Sequence, residues 1–178
     1  MFAPQWIDII GKHLGIDGFR SGCYYFMAHT GDYISEQRLA VIAKFTPFTK
    51  EELNGGCFDA KWFREVYEQL GKKIFDRLYK SAKYISASNM HTRARKFADA
   101  ALGKVTEEEL ETEIKRARNK DLLMSYPLIP ITQNGDAFNE RILHRYEFIQ
   151  EFKKESKQFG AQRRQSESDA VEIAQGHF

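Results

Sequence analysis

Residues 59–85 read DAKWFREVYEQLGKKIFDRLYKSAKYI, and apolar side chains recur along this segment at intervals of three and four residues. Such spacing places them on one face of an α-helix. The apolar positions are Trp62, Phe63, Val66, Tyr67 and Leu70 before Gly71, and Ile74, Phe75, Leu78, Tyr79, Ala82 and Ile85 after it. Asp59 is suited to cap the N-terminus of this helix. Gly71 predicts a break or bend, and the pattern leaves open whether the segment is one bent helix or two.

Helix signals continue downstream of residue 85. Ser88 is a candidate N-cap, and Gly103 stands where a left-handed residue ends a helix. Thr106 and Glu109 have the spacing of a capping box. A last apolar pattern, expected to be buried, consists of Phe138, Ile142, Tyr146, Ile149 and Phe152. Because no alternation of period two follows residue 58, the sequence predicts an all-α fold of six to eight helices, either an irregular HEAT-like array or a bundle.

The N-terminal third differs in composition from the rest. Residues 1–56 hold nine of the sixteen glycine and proline residues of the chain. Both residue types interrupt regular structure, so this third is expected to be rich in loops and short elements. We therefore predict a loop-rich N-terminal region, residues 1–58, packed on a helical domain, residues 59–178, with one structural unit overall.

The composition excludes several classes of protein. The chain has 178 residues, of which 42% are hydrophobic and 29% charged, a mixture typical of a globular domain. The longest apolar run, residues 23–28, is far shorter than the roughly 18 residues that a membrane span needs. The first ten residues, MFAPQWIDII, do not have the pattern of a signal peptide. Two cysteines favour a reducing compartment, so we expect a cytoplasmic protein without a membrane partner.

No motif for catalysis or cofactor binding is present. The five histidines are isolated in the sequence, and neither cysteine has a second cysteine at ligand spacing. Cys57 follows two glycines at the start of a predicted helix, where a thiol pKa can be lowered, but no base lies near it in the sequence. Phosphate-binding loops of the GxxxxGK or GxGxxG type are also absent. The sequence therefore assigns no catalytic, metal-binding or cofactor-binding residue.

A basic segment is the strongest indication of a partner. Residues 141–164 hold seven lysine and arginine residues against three glutamates, although the whole chain has a net charge of only +2. Lys153, Lys154 and Lys157 share a helix face, and cations at this density neutralise phosphates. The alternative is a solvated helix face in which pairs such as Glu151 with Lys154 absorb part of the charge.

Two further segments carry a resemblance to a known family. They are RNKD at 118–121 with LIPI at 128–131, and KESKQFGAQRR at 154–164 with the SE that follows. Over residues 62–174 the chain resembles the bacterial molybdate-metabolism-regulator-like proteins (domain of unknown function 4132, DUF4132). The resemblance implies a helical protein with HEAT-like stretches and no established catalytic residue. Those proteins are much longer, so it also implies that this chain is a fragment or a shortened relative.

These observations favour an interaction module that binds a protein or a nucleic acid. The candidate binding surface consists of Arg118, Lys120, Asp121, Lys157, Gln162, Arg163 and Arg164. The alternative for these residues is structural: Arg118 or Lys120 caps a helix C-terminus, and Asn119 or Asp121 starts the next helix. The alternative function is an enzyme, or the regulatory part of one, that acts on a phosphorylated or nucleic-acid substrate.

Overall fold

The computed structural model of the protein describes residues 4–31, 34–86 and 89–178. These residues form ten α-helices and two short 3₁₀ helices, and no strand occurs among them. The all-α, multi-helix prediction is confirmed. The helices outnumber the six to eight expected because four of them lie in the glycine-rich N-terminal third. The predicted cap at Ser88 lies outside the described residues.

The chain folds into two compact units, Met1–Ala94 and Arg95–Phe178. The first contains α1 (Pro4–Leu14), α2 (Phe19–Thr30), α3 (Glu36–Ile42), α4 (Lys50–Gly55), α5 (Ala60–Ala82) and the start of α6 (Met90–Ala101). The second contains the rest of α6, α7 (Glu107–Ala117), α8 (Lys120–Ser125), α9 (Asp136–Glu155) and α10 (Ala161–Gly176). The 3₁₀ helices are Tyr126–Leu128 and Ser156–Gln158. The glycine and proline content of the sequence changes near residue 58. That a domain boundary lies between residues 58 and 59 stays a prediction.

An aromatic core holds the first unit together, where α2 packs against α5. Tyr25, fully buried, contacts Phe75 at a ring-centroid distance of 6.1 Å and Trp62 edge-on at 5.6 Å. The indole nitrogen of Trp62 donates to the Ser21 hydroxyl at 2.8 Å, so its one polar atom has a partner. The helical stripe of α5 up to residue 75 therefore provides much of this core.

Local capping sets where several helices begin. The Asp59 carboxylate accepts from the backbone N–H of Trp62 at 2.8 Å, as predicted. The capping box of Thr106 and Glu109 is also present and begins α7. A second capping box, Thr49 with Glu52, begins α4 and was not predicted, because only six residues follow it before the next glycine cap.

Burial of the apolar stripes is incomplete. Ile149 and Phe152 of α9 are buried, but Phe138 is 41% exposed and Tyr146 is 45% exposed. The prediction of a continuous buried stripe is wrong there, because most side chains of residues 136–147 lie at the surface of the unit, with Arg145 as the buried exception. Ile85 is likewise exposed, because α5 ends three residues before it. No helix in the described ranges is both long enough and apolar enough to cross a membrane.

A buried cation joins three elements of the second unit. Arg145 of α9 is 1% exposed and forms an ion pair with Glu107 at 2.5 Å. Its guanidinium also donates to the backbone carbonyls of Pro127 at 3.2 Å and Ile129 at 2.8 Å. These acceptors offset the desolvation of the charge and fix α9 against the start of α7 and the chain after α8.

Gly71 bends α5, which is one helix with a kink. Its φ of 66° and ψ of 164° lie in a region that only glycine adopts readily. A Cβ at this position would meet no atom within 4 Å, so any cost of a side chain comes from backbone strain alone.

Gly71→Ala is therefore expected to lower the free energy of unfolding by about 1–3 kcal/mol. Urea unfolding followed by circular dichroism measures this loss. Gly176→Ala is the matched control, because its Cβ also enters open space while its φ is not positive. An equal loss in both variants would contradict the role assigned to the Gly71 conformation.

Candidate functional site

Arg118 is the residue of the predicted surface with the largest set of side-chain contacts in the described part of the chain. It ends α7 with a φ of 46°, and it is the one non-glycine residue with positive φ in the described part of the chain. Its guanidinium donates to Glu155 at 2.5 Å and to Glu167 at 2.8 Å. It also donates to the backbone carbonyl of Phe152 at 2.9 Å and stacks over the Phe152 ring at 3.9 Å. Arg118 thus caps the C-terminus of α9, as the structural alternative predicted, and joins α9 to α10.

Glu167 is the carboxylate around which these contacts converge, and only 2% of its side chain is exposed. Desolvation by burial opposes its ionisation, but hydrogen bonds from Arg118, Ser156 and Arg163 together outweigh burial and lower the pKa of Glu167 to about 2. The carboxylate is therefore ionised at neutral pH, and its charge is matched by guanidinium groups.

A first groove, which we call the network groove, has a volume of about 410 Å³. Its lining consists of Arg118, Lys120, Gln162, Arg163, Ser166 and Glu167. The cations in it already have partners: Arg163 pairs with Glu167 at 2.9 Å, and the Lys120 ammonium donates to Ser166. Arg163 also stacks on Phe159 at 3.7 Å from the ring centroid. Glu155 and Glu167 thus compensate the two arginines, and the charge of Lys120 is the one that no carboxylate pairs with among the described residues.

A second groove, which we call the basic groove, lies on the other flank of α10 and has a volume of about 220 Å³. It is lined by Lys153, Ser156, Lys157, Arg164, Gln165 and Ser168. Three of these side chains are cations, none is an acid, and no ion pair joins Lys153, Lys157 or Arg164 to any carboxylate among the described residues. The alternative pair of Glu151 with Lys154 is not formed either within that part of the chain.

The predicted residues therefore divide between different places. The network groove contains Arg118, Lys120, Gln162 and Arg163, whereas the basic groove contains Lys157 and Arg164. Successive residues of a helix are turned by about 100°, so Arg163 and Arg164 face different flanks of α10 although they are adjacent in sequence. Asp121 lines neither groove and instead pairs with Lys96 at 3.4 Å.

Sequence reasoning missed several residues of the site. Glu167 was detectable, because it follows Arg163 at the i, i+4 spacing of a helical ion pair. Lys153 was identified only as part of a basic helix face. No local signal indicated Ser156 or Ser168, because the packing of α9 against α10 brings them into the basic groove.

The cysteines lack the properties of a nucleophile. Both are free, and burial raises the pKa of Cys23 to about 11. Burial, assisted by Glu52, also raises the pKa of Cys57, opposite to the lowering that its position near a helix suggested. No group of three histidine, cysteine, aspartate or glutamate side chains that would hold a metal ion occurs among the residues that the structure describes.

One chain of titratable groups connects α7, the first 3₁₀ helix and α9. The buried Tyr126 hydroxyl donates to Glu111 at 2.5 Å, and the Nε2 atom of His144 lies 2.8 Å from the same oxygen. Burial and the Glu111 carboxylate both raise the pKa of Tyr126, so its hydroxyl stays protonated. This geometry links three helices, and Tyr126 is not available as a base at neutral pH.

A comparison with protein families identifies the family of the chain by a match over nearly its whole length. The model of a family of unknown function, DUF5724, matches residues 1–175. The resemblance to DUF4132 is therefore wrong, and what it implied about relatives and chain length loses its basis. The RNKD motif, on which that resemblance partly depended, marks the boundary between two helices. Arg118 ends α7, and Asn119 caps α8 by accepting from the Leu122 N–H at 3.2 Å. No curated protein and no solved structure matches the chain.

The lowered pKa of Glu167 predicts a pH-dependent stability of the second unit. An unfolded glutamate titrates near pH 4.3, so the contribution of ionised Glu167 is complete above about pH 5 and is lost as the pH falls toward 2. We expect Glu167→Gln to destabilise the protein by about 3 kcal/mol at pH 7, and this difference from the wild type to shrink as the pH falls through that range. Urea unfolding at several pH values measures it.

Glu113→Gln is the control, because Glu113 pairs with Arg116 on an exposed face of α7. Its effect is expected to be small at every pH. A difference between Glu167→Gln and the wild type that stays constant down to pH 2 would show that Glu167 is not held ionised in the folded state.

Proposed function

The chain belongs to the family of unknown function DUF5724, and we propose that it is a helical interaction module that binds nucleic acid through the basic groove of its second unit. The single observation that carries this proposal is the cluster of Lys153, Lys157 and Arg164 in a groove without an acidic side chain. Phosphates of a nucleic-acid backbone are the partners that such cations attract, with release of bound counterions.

The contrast between the two grooves supports this choice of surface. The network groove uses its two arginines to hold Glu155 and Glu167, so an incoming phosphate would compete there with carboxylates already in place. In the basic groove the cations face solvent without carboxylate partners in the described chain. A phosphate therefore gains more interaction free energy in the basic groove than in the network groove.

The lining of the basic groove favours binding over the alternative, an enzyme acting on a phosphorylated substrate. General acid–base catalysis needs a group such as histidine or a carboxylate within reach of the reacting atom. The side chains that line the groove are lysine, arginine, glutamine and serine only. A serine nucleophile would need a neighbouring base such as histidine, and this lining contains neither a histidine nor a carboxylate.

A protein partner is the second candidate. The exposed face of α1 in the first unit supports it, because four large apolar side chains, Trp6, Ile9, Ile10 and Leu14, are each between 43% and 60% exposed. Their spacing is that of an amphipathic helix anchoring in an apolar surface. This face is apolar and belongs to the first unit, whereas the basic groove is cationic and belongs to the second.

The proposal predicts salt-sensitive binding that depends on the basic groove. Fluorescence anisotropy with labelled single- and double-stranded DNA and RNA, at low and physiological salt, measures it. Lys157→Ala combined with Arg164→Ala is expected to weaken binding about tenfold or more at low salt. The slope of log affinity against log salt concentration is expected to become shallower by the contribution of about two phosphate contacts. Both side chains are exposed, so the variant is expected to stay folded.

Lys61→Ala with Arg64→Ala is the control of equal charge, because both residues are exposed cations of α5. A reducing buffer suits the assay, because both cysteines are free and the sequence predicts a reducing, cytoplasmic compartment. Equal weakening by the two double variants would indicate a general charge effect, and the absence of binding at low salt would refute the proposal.

A further inference from the structure

We infer that the basic groove is a site for one phosphate monoester, the terminal phosphate of a nucleic-acid strand, in preference to the diesters of its interior. This inference rests on the proposed function, because it names the part of the nucleic acid that the same groove takes. The juxtaposition that carries it is Lys153 and Lys157 from the end of α9 and its 3₁₀ extension, facing Arg164 of α10.

The size of the groove sets the first limit on what it holds. Pockets for whole small-molecule ligands have volumes of about 300–1,000 Å³. The basic groove, at about 220 Å³, is smaller than that range. It is nevertheless several times the roughly 30 Å³ that one water occupies in the liquid. It therefore suits a single charged group of a larger molecule, while the remainder of that molecule stays outside.

The free donors of the lining match a phosphate group. Each lysine ammonium carries three N–H donors and the guanidinium of Arg164 carries five. The Ser168 hydroxyl has no hydrogen-bond partner in the described chain, so it is a further donor. The other two polar side chains are engaged: the Gln165 amide donates to Asp169 at 2.8 Å, and the Ser156 hydroxyl donates to Glu167 at 2.5 Å.

The charge of the groove favours a monoester. The three cations give the lining a formal charge of +3, because none of its six side chains is acidic. A phosphate monoester carries about −1.5 to −2 charges at pH 7, whereas each diester of a strand carries one. A terminal phosphate therefore compensates more of the lining than one interior phosphate does, and it presents three terminal oxygens instead of two.

The groove is also held in shape before anything binds. Ser156 at its base accepts from Arg118 at 3.2 Å and donates to Glu167 at 2.5 Å. Glu167 is fixed in turn by Arg118 and Arg163. Hydrogen bonds and ion pairs of the network groove thus hold Ser156, in the connection between α9 and α10, in a fixed position. Binding of a phosphate orders only the lysine and arginine side chains, which keeps the entropic cost low.

The experiment compares matched single-stranded DNA oligonucleotides of about 12 nucleotides with a 5′-phosphate, with a 3′-phosphate, or with hydroxyls at both ends. Anisotropy is measured at fixed low salt, with the label placed at the opposite end or internally. We expect one of the phosphorylated strands to bind about tenfold more tightly than the strand without a terminal phosphate. This preference is expected to vanish in Lys157→Ala with Arg164→Ala and to persist in Lys61→Ala with Arg64→Ala.

A second measurement separates this inference from the proposed function. Backbone amide signals of the groove residues are followed by NMR during titration with methyl phosphate, a monoester, and dimethyl phosphate, a diester. Selective shifts with methyl phosphate, together with tighter binding of a phosphorylated strand, support both. If methyl phosphate gives selective shifts but no strand binds, the preference for a monoester stands, whereas the proposed function and the assignment of that monoester to a nucleic-acid strand are overturned. Equal affinity for strands with and without a terminal phosphate, both weakened by the groove variant, overturns the inference and leaves the proposed function standing. Absence of any response to strands or to methyl phosphate overturns both.

Discussion

The guanidinium of Arg118 is the contact on which the architecture around α10 depends. It lies at the end of α7 in a left-handed conformation that costs a non-glycine residue roughly 1–2 kcal/mol. That cost is offset because the side chain thereby reaches two carboxylates and a backbone carbonyl near the end of α9. Without a guanidinium at this place, the buried Glu167 would lose its principal counter-charge, and a buried unpaired carboxylate is strongly destabilising. The junction of α7, α9 and α10 is therefore built around one ionic cluster.

This cluster gives the two flanks of α10 different electrostatic properties. On one flank, Arg118 and Arg163 form ion pairs with Glu167. Their guanidinium groups also stack on Phe152 and Phe159, which further restricts their movement. On the other flank the cations take no part in that network. The density of basic residues in the sequence therefore overstates the charge available for binding, because it counts both flanks together. Only the geometry distinguishes a cation that stabilises the fold from one that is available to a phosphate.

The parts of this structure that sequence predicts are those set by local interactions. The stripe of α5 as far as Ala82, the cap at Asp59 and the capping box at Thr106 each depend on residues within one or two turns, and all three are confirmed. The pairing of Arg118 with Glu167 spans 49 residues and has no such local signal. Tyr146 was expected in the core because periodicity shows which side chains share a face, without showing how far along the helix a neighbour covers that face.

The basic groove brings three like charges together without a carboxylate in its lining. By contrast, the half-buried or buried cations Lys96, Arg118 and Arg145 are each paired with a carboxylate at 3.4 Å or less. Lys153, Lys157 and Arg164 repel one another in a shared groove, and the negative end of the α9 dipole relieves only part of that repulsion. An anion in the groove converts the remaining repulsion into attraction, so binding is coupled to stability. Departures from local electrostatic consistency are typical of functional sites, and this is the physical reason for proposing a binding site here instead of in the better-paired network groove.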